Sequence, residues 1–386
     1  MRFIGSKEQL LPFIEEALRR LVGDKPVCIG DLFCGTASVS RLFKKLGHKV
    51  VANDNLKLGY VLAQSVLTIN DEPEFSRLVE AGEIPLTTSG TLHSFPYDRV
   101  LAYLNSLPSQ EGFFHREYSP DGIEGRKFGR RYFSAENAAK IDALRAKISE
   151  WCICGLVTEA ESCLLLSDLM RAVNRVANIA GTYGYFMKDW DNRARKPIQL
   201  LRSIITPSIC EHEIFCADAN EVVRERHFDV IYLDPPYTWR HYGAYYHILE
   251  TIAHQDEPQV KGRTGLRPWR ESKSAYCDRS GAVDALRDII RFAQTTHLLL
   301  SYSEDGLISH EQILEALSSR GDAICMELPY RRYQSNNGGS KRSIVKERLY
   351  YVQTETKTSE RFVDVRIETK ASERFARKSA VLAEYK

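Results

Sequence analysis

What the 386-residue sequence lacks narrows it before any motif is read. It has no uninterrupted apolar run of the about 20 residues that a membrane-spanning helix needs. Glu8, Glu15 and Glu16 break up its start, so no basic-then-apolar leader is read there, and a cytoplasmic location with no membrane partner is expected. Its nine cysteines (Cys28, Cys34, Cys152, Cys154, Cys163, Cys210, Cys216, Cys277 and Cys325) include no C-x-x-C pair. Neither a zinc site nor a disulfide framework is indicated, no metal is implied, and reduced, mostly buried thiols are expected. The glycine pattern G-x-G-x-x-G is absent, which argues against a dinucleotide pyrophosphate. There is almost no net charge, +2, so local clusters have to decide whether a polyanion is a partner. The length allows one large catalytic domain with an insert, or two domains of ordinary size.

What is present is organised around Asp234-Pro235-Pro236-Tyr237, which follows the apolar run Phe228, Val230, Ile231, Tyr232 and Leu233. A short apolar run closed by prolines reads as a buried parallel strand ending at the carboxyl edge of a sheet, where open α/β folds bind ligands. Two prolines fix φ and lack N–H groups, so the loop is stiff and its carbonyls face outward. A carboxylate, a free carbonyl and an aromatic face are thereby held together. That set suits a planar base with an amino group: Asp234 and the Pro235 carbonyl accept hydrogen bonds from an exocyclic NH2 while Tyr237 stacks on the ring. Standing alone, the tetrapeptide is equally an acidic turn after a strand.

Upstream, residues 27–31 read as a strand running into the small-residue turn Leu32-Phe33-Cys34-Gly35-Thr36-Ala37-Ser38 and a helix through Val39, Leu42, Phe43 and Leu46. Small residues let a ligand approach the backbone. Residues 49–52 give a second strand ending at Asn53-Asp54, and an acid at about 20 positions past such a loop holds a ribose hydroxyl pair. S-adenosylmethionine fits this pattern, with Asp31 at its amino-acid end, Gly35 letting it pass and Asp54 on its ribose. Ahead of these, Phe3-Ile4-Gly5-Ser6-Lys7 precede apolar positions at helical spacing from Leu10 to Leu21, so that the loop either holds an anion at a helix start or caps the helix through Ser6. Downstream, residues 213–219 read as a strand ending in an acid; Asp218 either meets the adenine edge or ribose, or caps the following turn of helix.

Between residues 73 and 199 the strand–helix alternation is lost. A loop-rich stretch carries Arg126, Lys127, Arg130 and Arg131 interleaved with Phe128, Tyr132 and Phe133. Helices are expected after a Ser134 cap and from Thr158 to Val176. Such a segment suits the reading of a nucleic-acid groove; otherwise it is a helical cover with no ligand. Arg331, Arg332, Lys341, Arg342, Lys346 and Arg348 form a second basic cluster. Either cluster supplies phosphate contacts or is a solvated face. Arg240, Tyr242, Tyr245, Tyr246 and His247 are placed to line the path of an extruded nucleotide. Strands are expected at 297–302, 323–328, 330–333 and 344–352, with a hairpin-type loop at 335–340. The expected division is 1–72 with 200–353 as catalytic domain, 73–199 as target-recognition insert and 354–386 as a charged extension with a near repeat at 355–362 and 368–375.

In their order, Phe3-Ile4-Gly5-Ser6-Lys7, Asp31-Leu32-Phe33-Cys34-Gly35-Thr36, Asn53-Asp54, Asp218 and Asp234-Pro235-Pro236-Tyr237 resemble the Dam-like alpha group of DNA adenine-N6 methyltransferases, especially its restriction-modification members. Arg130-Arg131-Tyr132-Phe133 and Tyr245-Tyr246-His247-Ile248-Leu249-Glu250-Thr251 are similar to those enzymes too. The resemblance implies an α/β, Rossmann-like S-adenosylmethionine-dependent sheet with an inserted, mainly helical and loop-rich recognition domain. It implies cofactor contacts from Phe3, Lys7, Asp54 and Asp234, double-stranded DNA as substrate, and a cognate restriction endonuclease acting separately on the same site. Ala37 departs from the pattern, because the family usually has a second glycine there. Under this reading Asp234, Pro235 and Tyr237 are catalytic, and direct methyl transfer to the amino group of a flipped adenine is expected. Cytosine-C5 methylation would need a cysteine after proline, and no Pro-Cys pair occurs. Cytosine-N4 or RNA-adenine methylation, or a catalytically silent DNA-binding module, are the remaining alternatives.

Overall fold

The computed structural model describes residues 2–84, 95–331 and 344–354. Among these residues seven strands form one sheet: β1 (Cys28–Asp31), β2 (Lys49–Asn53), β3 (Glu213–Phe215), β4 (His227–Leu233), β5 (Gln294–Ser303), β6 (Ala323–Arg331) and β7 (Ile344–Gln353). Their order is β3-β2-β1-β4-β5-β7-β6. β1 to β5 run parallel, while β7 is antiparallel to both β5 and β6. From β1 the chain winds outward through β2 and β3, then returns to the centre with β4, so the order reverses between β1 and β4. A crevice opens at such a reversal, at the carboxyl ends of the strands. This is the Rossmann-like α/β architecture expected from the motifs.

The central strands are apolar almost throughout because both faces of the sheet are covered. On one face Leu32, Val51, Phe228, Ile231, Leu298 and Leu300 pack under the helices Ala219–Glu225, Ala282–Phe292 and His310–Ser318. On the other, Ile29, Val50, Val230, Tyr232 and Leu299 pack under Leu11–Val22, Ser38–Lys45 and part of Lys57–Leu67. Gly30 has to be glycine, since a Cβ there would stand 2.9 Å from the Phe228 ring. The register sets Asp31 beside Tyr232, so the ends of β1 and β4 arrive together at the crevice.

The region after β2 is mostly helical. Ser134 caps Ala135–Ile153 by accepting the Asn137 N–H, and Thr158 with Glu161 forms a capping box at Glu159–Val176. These helices share one apolar cluster with Lys57–Leu67 and with His247–His254. Arg2 ties the start of the chain to this layer, donating to the carbonyls of Asn174, Ala177 and Ile179.

Two expectations change. The strands expected at 323–328 and 330–333 are one, β6, because continuous pairing with β7 carries it through Arg331. Ser6 caps nothing: the first helix begins at Leu11 with Leu10 at its N-cap and a proline in its first turn. Arg332, Lys341, Arg342, the loop at 335–340 and the tail repeat lie outside the described residues. Among the described residues, no helix is long and apolar enough to cross a membrane.

Candidate active site

A cavity of about 560 Å³ occupies the crevice, walled by the ends of β1, β2 and β4, the segment Phe3–Lys7 and residues around Tyr276. Phe3, Lys7, Asp31, Gly35, Asp54, Asp218, Asp234, Pro235 and Tyr237 all line it. These positions, scattered along the sequence, therefore meet at one site.

Each is held by a nameable local cause. Gly35 has φ +50°, a left-handed geometry that suits glycine, and its N–H donates to Asp54 Oδ2 at 2.9 Å. The other oxygen of Asp54 accepts the Leu56 N–H at 2.9 Å, and a Cβ at Gly59 would come within 2.5 Å of the Asp54 side chain. Asp54 thus clamps the turn after β1 to the end of β2. Ala37, the departure from the family pattern, also has a left-handed φ of +55°, in a residue type for which such geometry costs roughly 1–2 kcal/mol. Its methyl is fully buried among the apolar side chains beneath the sheet, which offsets part of that cost.

Asp31 accepts a 2.5 Å hydrogen bond from Ser40 at Oδ2, whereas its buried Oδ1 has no donor. Burial pushes its carboxyl up to about 7, against the opposing Ser40 bond. Burial likewise pushes Asp54 to about 6, opposed by the Leu56 and Gly35 N–H groups. Asp218 caps the helix Ala219–Glu225 through the Asn220 N–H at 2.8 Å while lining the cavity, so it serves as a cap whatever it meets there.

The tetrapeptide after β4 is braced on three sides. The Tyr237 carbonyl accepts the Leu307 N–H at 2.9 Å, its ring meets Tyr302 edge-on at 6.1 Å, and Lys7 Nζ lies 5.4 Å from its centroid. Lys7 is itself buried. Its Nζ donates to Glu347 at 2.5 Å and lies 3.0 Å from Asp234 Oδ1. The ammonium thus serves both carboxylates, and Asp234 Oδ1 is buried with no other donor among the described residues. Burial alone would lower the Lys7 ammonium, but Asp234 and then Glu347 hold it well above the ordinary lysine value. Burial raises Asp234 to about 6, with Lys7 opposing and Glu347 reinforcing the rise. Lys7 therefore spends its ammonium on two carboxylates rather than standing ready for an anion. Phe3 stacks on Tyr246 at 4.2 Å and on Tyr242 at 5.6 Å, which fixes one aromatic wall.

Several expected nucleic-acid contacts are corrected. Arg130 is 1 % exposed: its guanidinium pairs with Glu117 at 2.9 Å and donates to the carbonyls of Glu117, Gly262 and Arg263. It joins segments inside the fold and cannot reach a phosphate. Tyr246 and His247 are fully buried, with the His247 ring against the Tyr183 carbonyl at 3.1 Å, so they line no path. Arg126, Lys127, Arg131 and Arg240 are exposed. In the second cluster Lys346 and Arg348 pair with Glu327 at 2.7 Å and 2.9 Å. Glu347 and Ser40 were not read from the sequence. The one signal for Glu347 was the alternation of Lys346, Glu347 and Arg348, which turns the acid inward in a strand.

The sheet order and the cavity at its reversal define the class, a Rossmann-like α/β protein with a ligand site at the carboxyl ends of its strands. The profile of the D12 class N6 adenine-specific DNA methyltransferases matches residues 3–314. Modification methylase StsI of Streptococcus sanguinis is 36% identical over 92% of the chain and 52% of its own length. Type II methyltransferase M.FokI of Planomicrobium okeanokoites is 36% identical over 92% of the chain and 53% of its length. Type II methyltransferase M.NlaIII of Neisseria lactamica is 33% identical over 93% of the chain and 100% of its length. The chain belongs to the D12 class N6 adenine-specific DNA methyltransferase family, as its motif order led us to expect. It spans about half the length of the first two relatives.

Proposed function

We propose that the chain transfers a methyl group from S-adenosylmethionine to the exocyclic amino group of an adenine flipped out of duplex DNA. The observation that carries this reading is Asp234 Oδ1, buried on a proline-stiffened loop at the cavity, where the Lys7 ammonium at 3.0 Å is its one close partner among the described residues and leaves acceptor capacity for a substrate amino group. An amino group that donates to it gains a bond and leaves no protein group unpaired.

The cavity suits a cationic, phosphate-free cofactor. Asp31, Asp54, Asp218, Asp234, Asp284 and Asp288 line it against the ammonium of Lys7. That charge pattern favours a sulfonium and an amino-acid ammonium and disfavours a pyrophosphate. Asp31 would take the ammonium with its unpartnered Oδ1, and Asp54 and Asp218 the ribose and adenine side. When bound, the cofactor supplies an electrophilic methyl group. The adenine amino nitrogen is a weak nucleophile because its lone pair is delocalised into the ring. Hydrogen bonds to Asp234 and the Pro235 carbonyl localise that pair, stabilise the charge that develops on nitrogen and aim it at the methyl carbon. Tyr237 replaces the stacking lost on flipping.

For the duplex we propose contacts from the exposed Arg126, Lys127, Arg131 and Arg240 with the exposed Trp239 and Tyr185. A crevice of about 640 Å³, lined by Arg2, Ser6, Asn174, Arg175 and Lys196, abuts the same Phe3–Lys7 segment that walls the cavity. Residues 73–199 act in this reading as the recognition insert, and a separately encoded restriction endonuclease is the partner whose site is protected. The direct test is transfer from labelled cofactor to duplex DNA, with the product base identified after hydrolysis. Label on N6-methyladenine is expected, and Asp234→Ala should abolish it while leaving the unfolding midpoint near wild type. No label in any base, or full activity in Asp234→Ala, would sink the proposal.

A further inference from the structure

We propose that Glu347, on a strand beyond the residues that match the family, is a positioning residue for methyl transfer, acting through Lys7 to keep the Asp234 carboxylate oriented and able to take a proton. The inference rests on the reading of Asp234 given above.

Glu347 is 4 % exposed and held from two directions, by Lys7 Nζ at 2.5 Å and by Ser301 Oγ at 3.3 Å, both on Oε1. β7 delivers it there because Glu347 stands opposite Ser303 of β5. A buried lysine facing Asp234 alone would turn its N–H onto the carboxylate and compete with an incoming amino group. Glu347 accepts one of its three N–H groups at 2.5 Å and draws the ammonium off Asp234, which it meets at 3.0 Å. Fully ionised, Lys7, Asp234 and Glu347 sum to one negative charge, which a sulfonium would balance.

The transfer states what Asp234 must do. The N6 lone pair attacks the methyl carbon; the C–N bond forms as the C–S bond breaks, with its electron pair left on sulfur and the positive charge now on N6. One N6 proton then passes to Asp234 and the amine is neutral again. Asp234 has to begin ionised yet remain basic enough to accept that proton. Lys7 opposes basicity, and Glu347 offsets Lys7. The other titratable groups around Asp234 are Asp31, Tyr232, Tyr237 and Tyr242. Burial keeps the phenols of Tyr232 and Tyr242 uncharged, and Asp31 is unchanged in the variants below.

Glu347→Gln keeps the size of the side chain and an acceptor for Lys7 but removes the charge. Single-turnover methylation of duplex DNA measured from about pH 5 to 9 should show the acid limb displaced downward by about one pH unit and the plateau rate lowered about tenfold. A merely structural role would lower activity without moving the limb. A folded Glu347→Gln protein with wild-type rate, or with its limb in place, overturns the proposal. Should that variant not fold, Glu347→Asp carries the test: the shorter reach releases Lys7 toward Asp234, so a slower rate with the acid limb moved downward is expected, and a wild-type rate or an unmoved limb overturns the proposal. If wild-type protein methylates no DNA, the failure belongs to the underlying reading and not to Glu347.

Discussion

Arg130 shows why a residue's type does not settle its role. Its basic and aromatic neighbours in sequence invite a phosphate contact, but its four hydrogen bonds go to the side chain and carbonyl of Glu117 and to two carbonyls more than 130 positions away. Removing one partner of a buried pair costs about 3–5 kcal/mol, because the other charge is left without compensation. Arg130→Ala should therefore lower the stability by that order in urea unfolding, with Arg131→Ala within about 0.5 kcal/mol of wild type. Equal stabilities would return Arg130 to the surface. A second residue-scale prediction concerns Asp31, at about 7, with Asp54 and Asp234, at about 6. All three are raised above the ordinary aspartate value. Their stabilising effect on the free protein is full below the unfolded pKa of about 4 and is lost as pH rises through 6 to 7. A cationic cofactor favours their ionised forms, so its binding should release protons. Calorimetry near pH 6.5 in buffers of different ionisation enthalpy should detect that release, and it should fade near pH 8.5. Binding without proton release at the lower pH would mean that these carboxyls do not face the cofactor.

At the scale of elements, the sheet was largely legible in the sequence and the assembly of its edge was not. β1, β2 and β4 follow from short apolar runs that end in Asp31, Asn53-Asp54 and Asp234, and both long helices follow from Ser134 and Thr158. These signals are local, so reading a few adjacent residues suffices. The Lys7–Glu347 contact joins residues 340 positions apart and depends on β7 turning back antiparallel onto β5, which no local pattern specifies. The burial of Tyr246 and His247 is of the same kind, since it depends on where the helices of residues 135–176 come to rest. Arg2 offers a test at this scale. Its bonds to three carbonyls at the end of the Glu159–Val176 helix anchor the segment that carries Phe3 and Lys7. Arg2→Ala should weaken cofactor binding about tenfold, by adding the loss of order in that segment to the binding step, with a small change in global stability. Titration calorimetry that gives wild-type affinity would show that the segment holds its place without the anchor.

Considered as a whole molecule, the near balance of charge, +2, hides a segregation. Carboxylates gather inside the cavity, where a cation is drawn, while Arg175, Arg193 and Lys196 line a crevice that shares the Phe3–Lys7 segment with it. One strip of chain thus borders both a compartment suited to a sulfonium and a crevice suited to a polyanion, and under the proposed reading a flipped base would pass from one to the other across it. The arrangement predicts a division of effects. Lys196→Ala should lower the magnitude of the salt slope of DNA binding by about 0.9, the share of one phosphate contact on duplex DNA. It should raise the KM for DNA while leaving cofactor affinity and the single-turnover rate at saturating DNA close to wild type, because the side chain touches neither the cavity nor Asp234. Filter binding across a salt series, together with cofactor calorimetry on the same variant, separates the outcomes. An unchanged slope would remove the crevice from the path of the duplex, whereas a change in cofactor affinity would show that the strip does not insulate the two compartments.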